Sequence, residues 1–176
     1  MVKYKNIVVS GNVGTGTSTL AKGLTEKLAW RYISAGDFFR DYFKNHNIPL
    51  WDKSKIPDDL DKKIDLDYFE KMKKESNIVF DSHYGGWFAR DLPDVFKIVL
   101  ICDKKEATKR IIEREHTHKE RPEEVEKRRI QLKKKFRKLY SNDDYEDPKF
   151  FDIVIDTGSS SAEETLEKVY QAFSNT

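Results

Sequence analysis

Residues 11–19 decide the fold of this chain: Gly11, Asn12, Val13, Gly14, Thr15, Gly16, Thr17, Ser18 and Thr19. They match the G-x-x-x-x-G-x-[ST] frame of a Walker A loop, whose glycines let backbone N–H groups point at phosphate oxygens. The apolar run at 7–10 before them is typical of a buried parallel strand, and Leu20, Leu24 and Leu28 after them keep helical spacing. The sequence therefore predicts a phosphate-binding loop between a strand and the positive end of a helix dipole.

One position of this phosphate loop, residues 11–19, departs from the motif. Thr17 stands where a lysine normally brings a positive charge to the β and γ phosphates, and a neutral hydroxyl cannot supply that charge. Either cations from elsewhere in the chain replace it, or the site binds nucleotide and catalyses poorly. We expect Ser18 to bind Mg²⁺ through its hydroxyl, so the predicted cofactors are ATP and Mg²⁺.

Strand and helix patterns alternate along the rest of the chain. Further strands are predicted at 32–34, 78–81, 97–102 and 151–155, and helices at 18–29, 37–46, 58–75, 104–115, 123–140 and 161–173. This βαβ series predicts one domain, a three-layer α/β sandwich around a five-stranded parallel sheet. The segments 37–75 and 104–140 interrupt the alternation, and we expect them to close over the carboxyl edge of the sheet.

Composition and charge restrict the functional class. The 176 residues carry a net charge of +2, yet residues 104–140 hold 15 Lys and Arg against 7 Glu. A local basic segment indicates an anionic ligand, or a solvated helix face, rather than a nucleic-acid partner. The longest apolar run, 98–102, is too short to span a bilayer, and no signal-peptide pattern is present. We expect a cytoplasmic monomer without a membrane partner.

A second motif follows the predicted strand at 32–34. Residues 34–40 read S-A-G-D-F-F-R, and with the phosphate loop they resemble the acceptor-site motif of nucleoside monophosphate kinases, especially the archaeal-type cytidylate kinases. The resemblance implies a P-loop NTPase fold in which Ser34, Gly36 and Asp37 border the acceptor and Arg40 grips its phosphate. Guanidinium gives bidentate recognition of phosphate. The alternative is that Asp37 caps a helix and Arg40 lies on its exposed face.

Two further stretches resemble the same family. Residues 61–65 resemble the D-x-x-I-D stretch of its acceptor-binding insertion, at about 37–75, which implies that Asp65 contacts the acceptor base; a solvated helix face is the alternative. Asp81 resembles a Walker B acid that holds the water shell of Mg²⁺, or else caps a turn. Gly86 fits the family pattern of the acceptor site, whereas His83 replaces an arginine and is either protonated on phosphate or neutral.

The basic segment resembles the family's lid, at about 110–135. Arg110 and Arg114 are four residues apart, so a helix places both on one face, where they can reach one polyphosphate. The resemblance assigns Arg128 to the lid helix, and Lys135 stands where an arginine is usual. A salt-bridged helix is the alternative.

These motifs occur in the family's order along nearly the whole chain. The resemblance implies transfer of the γ-phosphoryl group of ATP to CMP, dCMP or a related monophosphate, with Mg²⁺ and with Asp81, Arg110, Arg114 and Arg128 as the catalytic set. Small-molecule nucleotides are then the partners. Two alternatives stay open: a P-loop kinase for another small acceptor, such as AMP or shikimate, and a nucleotide-binding regulator that catalyses poorly because of Thr17.

Overall fold

The carboxyl ends of parallel strands form the edge on which the candidate site lies. The structure is a computed structural model that describes residues 3–114 and 120–176. Its strands are β1 (Asn6–Gly11), β2 (Arg31–Ser34), β3 (Ile78–Asp81), β4 (Val95–Ile101) and β5 (Ile153–Asp156). They are paired in parallel in the order β2-β3-β1-β4-β5. Because β1 is central, the phosphate loop that follows it opens at the middle of this edge.

Helices connect these strands within the described residues. They are α1 (Thr17–Leu28), α2 (Ala35–Asn45), α3 (Asp58–Lys74), α4 (Gly85–Phe88), α5 (Lys104–Arg114), α6 (Pro122–Leu139) and α7 (Ala162–Ser174), with two 3-10 turns at Lys53–Lys55 and Pro148–Phe150. Ser34 begins α2 by accepting a hydrogen bond from the backbone N–H of Asp37 at 3.1 Å. Pro122 opens α6, where a missing N–H costs no intrahelical bond.

Apolar side chains cover both faces of the sheet. On one face Leu24 of α1 and Phe173 of α7 pack with Ile7 and Ile98. On the other face, α3 contributes Met72 to a cluster with β1 and β3, while α4 and α6 share an aromatic cluster. These buried contacts hold the helices in two layers around the sheet, so its carboxyl edge has a fixed shape.

Buried charges join α6 to the segment 37–75. Lys135 Nζ lies 2.7 Å from Asp58 Oδ1 and 3.2 Å from Asp61 Oδ2, and it donates to the carbonyl of Ile56 at 2.6 Å. Lys135 and Asp61 are both buried. The C-terminal half of the predicted lid helix is therefore fastened to the predicted acceptor insertion.

The predicted three-layer sandwich with a five-stranded parallel sheet is confirmed, and the strand at 78–81 has the predicted bounds. Helix α4 was not predicted, because four residues, G-G-W-F, are too few to show a helical repeat. The strand predicted at 151–155 begins at Ile153, since Phe151 still closes the preceding 3-10 turn. In the described part of the chain, no helix combines the length and apolar character needed to cross a bilayer.

Candidate active site

The phosphate loop forms a cradle of backbone N–H groups at the start of α1. Gly14 has a φ of 85° and Gly16 a φ of 99°, left-handed conformations that strain residues with a side chain. At Gly14 a Cβ would also lie 2.5 Å from the carbonyl oxygen of Ala107 in α5. Asn12 closes the turn, because its carbonyl accepts from the backbone N–H of Thr15 at 3.2 Å. The first N–H groups of α1 have no intrahelical partner and face the cradle.

A buried carboxylate lies beside this cradle. Parallel pairing sets Asp81, the last residue of β3, opposite Ser34 of β2 and Val9 of β1. Asp81 Oδ2 accepts from Ser18 Oγ at 2.6 Å and from Tyr32 Oη at 3.0 Å. Burial and the charge of Asp81 raise the pKa of Tyr32, so its hydroxyl remains a donor. The hydroxyl of Ser18 and the carboxylate are hard oxygen ligands of the kind that Mg²⁺ binds.

Two cavities meet at this edge of the sheet. The loop cavity, about 610 Å³, is lined by Asp81 and by six residues of the phosphate loop: Asn12, Val13, Gly14, Gly16, Thr17 and Ser18. The acceptor cavity, about 590 Å³, lies between α2, the turn Lys53–Lys55, α3 and α6. Five residues line both cavities: Gly36, Arg40, Ser82, His83 and Arg128. A ligand in one cavity can therefore touch a ligand in the other, between two guanidinium groups.

The two guanidinium groups at this junction come from predicted residues. Arg40 forms an ion pair with Asp37, one turn earlier in α2, and Ser34, not Asp37, caps that helix. Arg128 Nη1 lies 3.0 Å from Glu120 Oε2. Because Arg128 belongs to the basic segment and lines the loop cavity beside Thr17, a cation from that segment does reach the phosphate loop.

His83 also lies at the junction. Its Nδ1 donates to the carbonyl oxygen of Gly11 at 2.6 Å. Burial, together with the nearby charge of Arg128, lowers the pKa of His83 to about 4. At neutral pH the ring is therefore uncharged, and Nε2 carries the lone pair. Of the two expectations for this residue, the geometry favours the neutral hydrogen-bonding group.

Asp65 and Lys53 line the acceptor cavity away from the phosphate loop. Asp65 Oδ2 accepts from Tyr140 Oη at 2.7 Å, and burial raises the pKa of Asp65 to about 6 although the charge of Lys53 opposes the shift. Lys53 was not predicted. Its Nζ lies 2.6 Å from Asp61 Oδ1, and nothing in a run of alternating Lys and Ser distinguishes this buried lysine from exposed Lys55.

One predicted residue, Arg110, lines neither of these two cavities. Arg110 donates to the carbonyl of Thr157 at 2.7 Å and to Glu106 at 3.0 Å, and it lines a third cavity beside Thr15 and Gly16. Thr157 and Glu106 hold the guanidinium of Arg110 beside Thr15 and Gly16, and its contact with phosphates stays a prediction. The side chain of Arg114 lies outside the described residues.

Gly86, predicted for the acceptor site, lines neither the loop cavity nor the acceptor cavity. Its N–H donates to Ser10 Oγ at 3.0 Å, and the ring of Phe151 occupies the space that a side chain would need. This glycine serves packing. Sequence reasoning also missed Arg129, a buried neighbour of Arg128 that donates to Thr108 Oγ1 at 2.9 Å and to the carbonyl of Val13 at 3.3 Å. Arg129 supports the phosphate loop from behind.

The chain is similar in sequence to curated cytidylate kinases and in fold to solved kinase structures. The model of the AAA domain family matches residues 7–131. A cytidylate kinase of Sulfolobus acidocaldarius is 37% identical over 155 residues, covering 86% of this chain and 84% of that protein. A cytidylate kinase of Sulfurisphaera tokodaii is 32% identical over 186 aligned positions, covering 96% and 94%. A gluconokinase structure from Sinorhizobium meliloti 1021 has a TM-score of 0.68 at 14% identity, covering 99% and 94%, which indicates a shared fold.

Proposed function

This chain belongs to the cytidylate kinase family of P-loop kinases, and on that premise we propose that it transfers the γ-phosphoryl group of ATP to CMP or dCMP with Mg²⁺. It is an ATP-dependent phosphotransferase of the nucleoside monophosphate kinase type. The choice of a cytosine nucleotide rests on the relatives' names and on the acceptor cavity.

One observation carries the proposal: the loop cavity and the acceptor cavity share Arg40, His83 and Arg128. A donor triphosphate in the cradle and an acceptor monophosphate in the other cavity would bring their phosphates together there. Phosphoryl transfer needs little beyond such alignment and the neutralisation of charge on the transferred group. Arg40 orients the acceptor phosphate, and Arg128 contacts donor and acceptor phosphates.

The remaining groups of the site bind either the ATP nucleotide or the metal ion. The backbone of the phosphate loop holds the β and γ phosphates, and Arg110, beside Thr15 and Gly16, suits the nucleoside of ATP. Ser18 and Asp81 offer oxygen ligands that fit Mg²⁺ and its water shell. Bound there, the ion neutralises negative charge on the donor phosphates. Arg40 and Arg128 supply the positive charge that Thr17 cannot.

An acceptor panel tests the proposal. ADP release from ATP and Mg²⁺ is measured with CMP, dCMP, UMP, AMP and GMP, with shikimate as an acceptor that lacks a base. We expect acceptor-dependent release with CMP or dCMP and only slow release without an acceptor, because closure of the site excludes water. Turnover confined to AMP or to shikimate would contradict the assignment of a cytosine nucleotide as acceptor, but the chain would still be a kinase.

A second candidate rests on Thr17: a regulator that binds nucleotide without useful turnover. It predicts saturable binding of ATP with Mg²⁺ but no release of ADP that depends on any acceptor. The kinase hypothesis predicts saturable ATP binding together with ADP release that depends on an acceptor. Measuring ATP binding in the same preparation separates the two, because a misfolded sample would fail both assays.

A further inference from the structure

Backbone N–H groups alternate in their use along the phosphate loop. The N–H of Val13 donates to Asn12 Oδ1 at 2.8 Å, and the N–H of Thr15 donates to the carbonyl oxygen of Asn12 at 3.2 Å. Among the described residues, the N–H groups of Gly14 and Gly16 donate to no other part of the chain. Both glycines line the loop cavity, so their N–H groups are available to an anion that binds there.

The carbonyl that shares a peptide group with the Gly16 N–H is held from outside the loop. It belongs to Thr15, and it accepts a hydrogen bond from Thr157 Oγ1 at 2.8 Å. The C=O and N–H bonds of a trans peptide group are coplanar and point in opposite directions, and no peptide bond of the described residues is cis. A bond that fixes the Thr15 carbonyl therefore fixes the direction of the Gly16 N–H as well.

Neighbouring groups fix the orientation of the Thr157 hydroxyl. Thr157 is buried, and its backbone N–H donates to the carbonyl of Ile101, the last residue of β4, at 2.9 Å. Arg110 Nη1 donates to Thr157 Oγ1 at 3.1 Å. Because a guanidinium group has only donors, the hydroxyl oxygen accepts in that bond, and its proton is left for a carbonyl oxygen. The carbonyl of Thr15, at 2.8 Å, is nearer than that of Ile101, at 3.3 Å.

The same arrangement occurs at the Gly14 N–H. The carbonyl of its peptide group belongs to Val13 and accepts from Arg129 Nη2 at 3.3 Å. Side chains from two distant segments of the chain thus orient the two N–H groups that the loop itself does not use. Of these side chains, Thr157 makes the shorter bond, and it is neutral. Its replacement therefore changes the peptide orientation without removing a positive charge from the surroundings of the loop.

We propose that Thr157 is a positioning residue for the donor phosphates of ATP: its hydroxyl orients the peptide group between Thr15 and Gly16 so that the Gly16 N–H points at a phosphate oxygen. Because Thr17 brings no ammonium group to the loop, the affinity for these phosphates depends more strongly on oriented N–H groups. The inference rests on the proposed function in one respect, since it requires the loop to bind ATP. It requires no particular acceptor.

Thr157→Val tests this role, because valine has nearly the shape of threonine but lacks the hydroxyl. The dissociation constants of ATP with Mg²⁺ and of adenosine are measured for the wild-type protein and the variant. We expect the constant for ATP to rise roughly tenfold, as loss of a hydrogen bond to a charged group usually causes. The constant for adenosine, which has no phosphate, should stay within about twofold. Thr157→Ser keeps the hydroxyl and should bind ATP within about twofold of the wild-type affinity.

Thr25→Val is the matched control. It makes the same chemical change in α1, at a buried hydroxyl oxygen that has no hydrogen-bond partner among the described residues. Both dissociation constants should equal those of the wild-type protein. Should Thr157→Val fail to fold, Thr157→Ala removes the same hydroxyl and is measured in its place. In steady-state kinetics, the folded variant should show a raised KM for ATP and an unchanged KM for the acceptor.

Three results would overturn the positioning role. They are an unchanged ATP dissociation constant in Thr157→Val, an equal rise in Thr157→Ser, and an equal rise in the constant for adenosine, which would place the effect at the nucleoside. Failure of the proposed function is recognised separately. A wild-type protein that binds ATP but transfers phosphate to no acceptor contradicts the kinase, and the binding measurements still decide the role of Thr157. A wild-type protein that binds no ATP would contradict both.

Discussion

The two ends of the site recognise their ligands by different means. The phosphate loop is one contiguous stretch, and it offers backbone N–H groups held by the left-handed conformations of Gly14 and Gly16. The acceptor end uses side chains from separate segments: Lys53 on a 3-10 turn, Asp65 on α3 and Tyr140 after α6. A local motif is enough to bind the triphosphate group, which all nucleoside triphosphates share. Recognition of a particular base requires groups that the tertiary fold brings together.

The charges at the two ends also differ in environment. At the junction, guanidinium groups line cavities that connect to each other and can follow a phosphate as it binds. At the far acceptor end the cation and carboxylates are buried among apolar side chains, where an unmatched partner is costly. We therefore expect changes at the junction to affect binding and rate for every acceptor, and changes at the far end to affect the choice among acceptors or the stability of the fold.

Arg40→Ala should give the largest loss. Removing a guanidinium from the acceptor phosphate should lower kcat/KM for CMP by roughly 100-fold, as loss of a charged donor at a reacting group usually does. The KM for the acceptor should rise more than the KM for ATP. Steady-state kinetics in both substrates measure this, with Arg137→Ala, an exposed arginine of α6, as the control. Equal rises in the two KM values would contradict the division of the site into a donor end and an acceptor end.

Lys135→Met should act on stability instead. Among the described residues, it leaves Asp61 buried with Lys53 as its one charged partner, and breaking a buried ion pair from one side typically costs about 3 kcal/mol. The midpoint of urea unfolding should fall accordingly, while Lys134→Met, an exposed neighbour, should leave it unchanged. ATP binding at temperatures where the variant is folded should be close to wild type. If Lys135→Met were as stable as Lys134→Met, the ion pairs between α6 and the acceptor insertion would contribute little to the free energy of unfolding.

The same contrast explains what the sequence could predict. The sandwich and the position of the phosphate loop follow from strand and helix periods and from a glycine spacing, all of which are local. Asp65 and Asp81 were accessible through resemblance to short motifs. Lys53 and Arg129 were not, because only the packing of α6 against the turn at Lys53–Lys55 and against the loop distinguishes them from the many other cations of a chain with 33 Lys and Arg.

Arg110 shows the limit of local reasoning from the sequence. Its four-residue spacing from Arg114 predicts a shared helix face, which is a local property, but says nothing about what that face meets. In the fold, Thr157 follows β5 and accepts from the Arg110 guanidinium at 2.7 Å. The target of a side chain is thus set by strand order, which brings β5 next to β4, and not by helical period.

A pH series gives a smaller effect that sharpens the account of the acceptor end. Burial raises the pKa of Asp65 to about 6, with Lys53, Asp61 and Tyr140 as the charged and titratable groups around it. At pH 7.5 the carboxylate accepts from an amino group, whereas at pH 5 its protonated form loses part of that capacity. The CMP to UMP ratio of kcat/KM should therefore fall several-fold, by less than about tenfold, between pH 7.5 and pH 5. In Asp65→Asn the ratio should be flat over this range; a wild-type ratio that is flat as well would remove Asp65 from base selection.

Thr17→Lys should have the smallest effect, and it tests the donor end. If Arg40 and Arg128 already supply the positive charge around the γ phosphate, a further ammonium group adds little, and kcat should change by less than about threefold. Its affinity for ATP with Mg²⁺ should rise modestly, because a lysine there adds attraction to the β and γ phosphates in ground state and transition state alike. Thr17→Ser, which keeps a hydroxyl, should match wild type in both measurements. A gain in kcat of about 100-fold with Thr17→Lys would mean instead that the cradle lacks an essential positive charge. The wild-type chain would then bind nucleotide but catalyse phosphoryl transfer poorly.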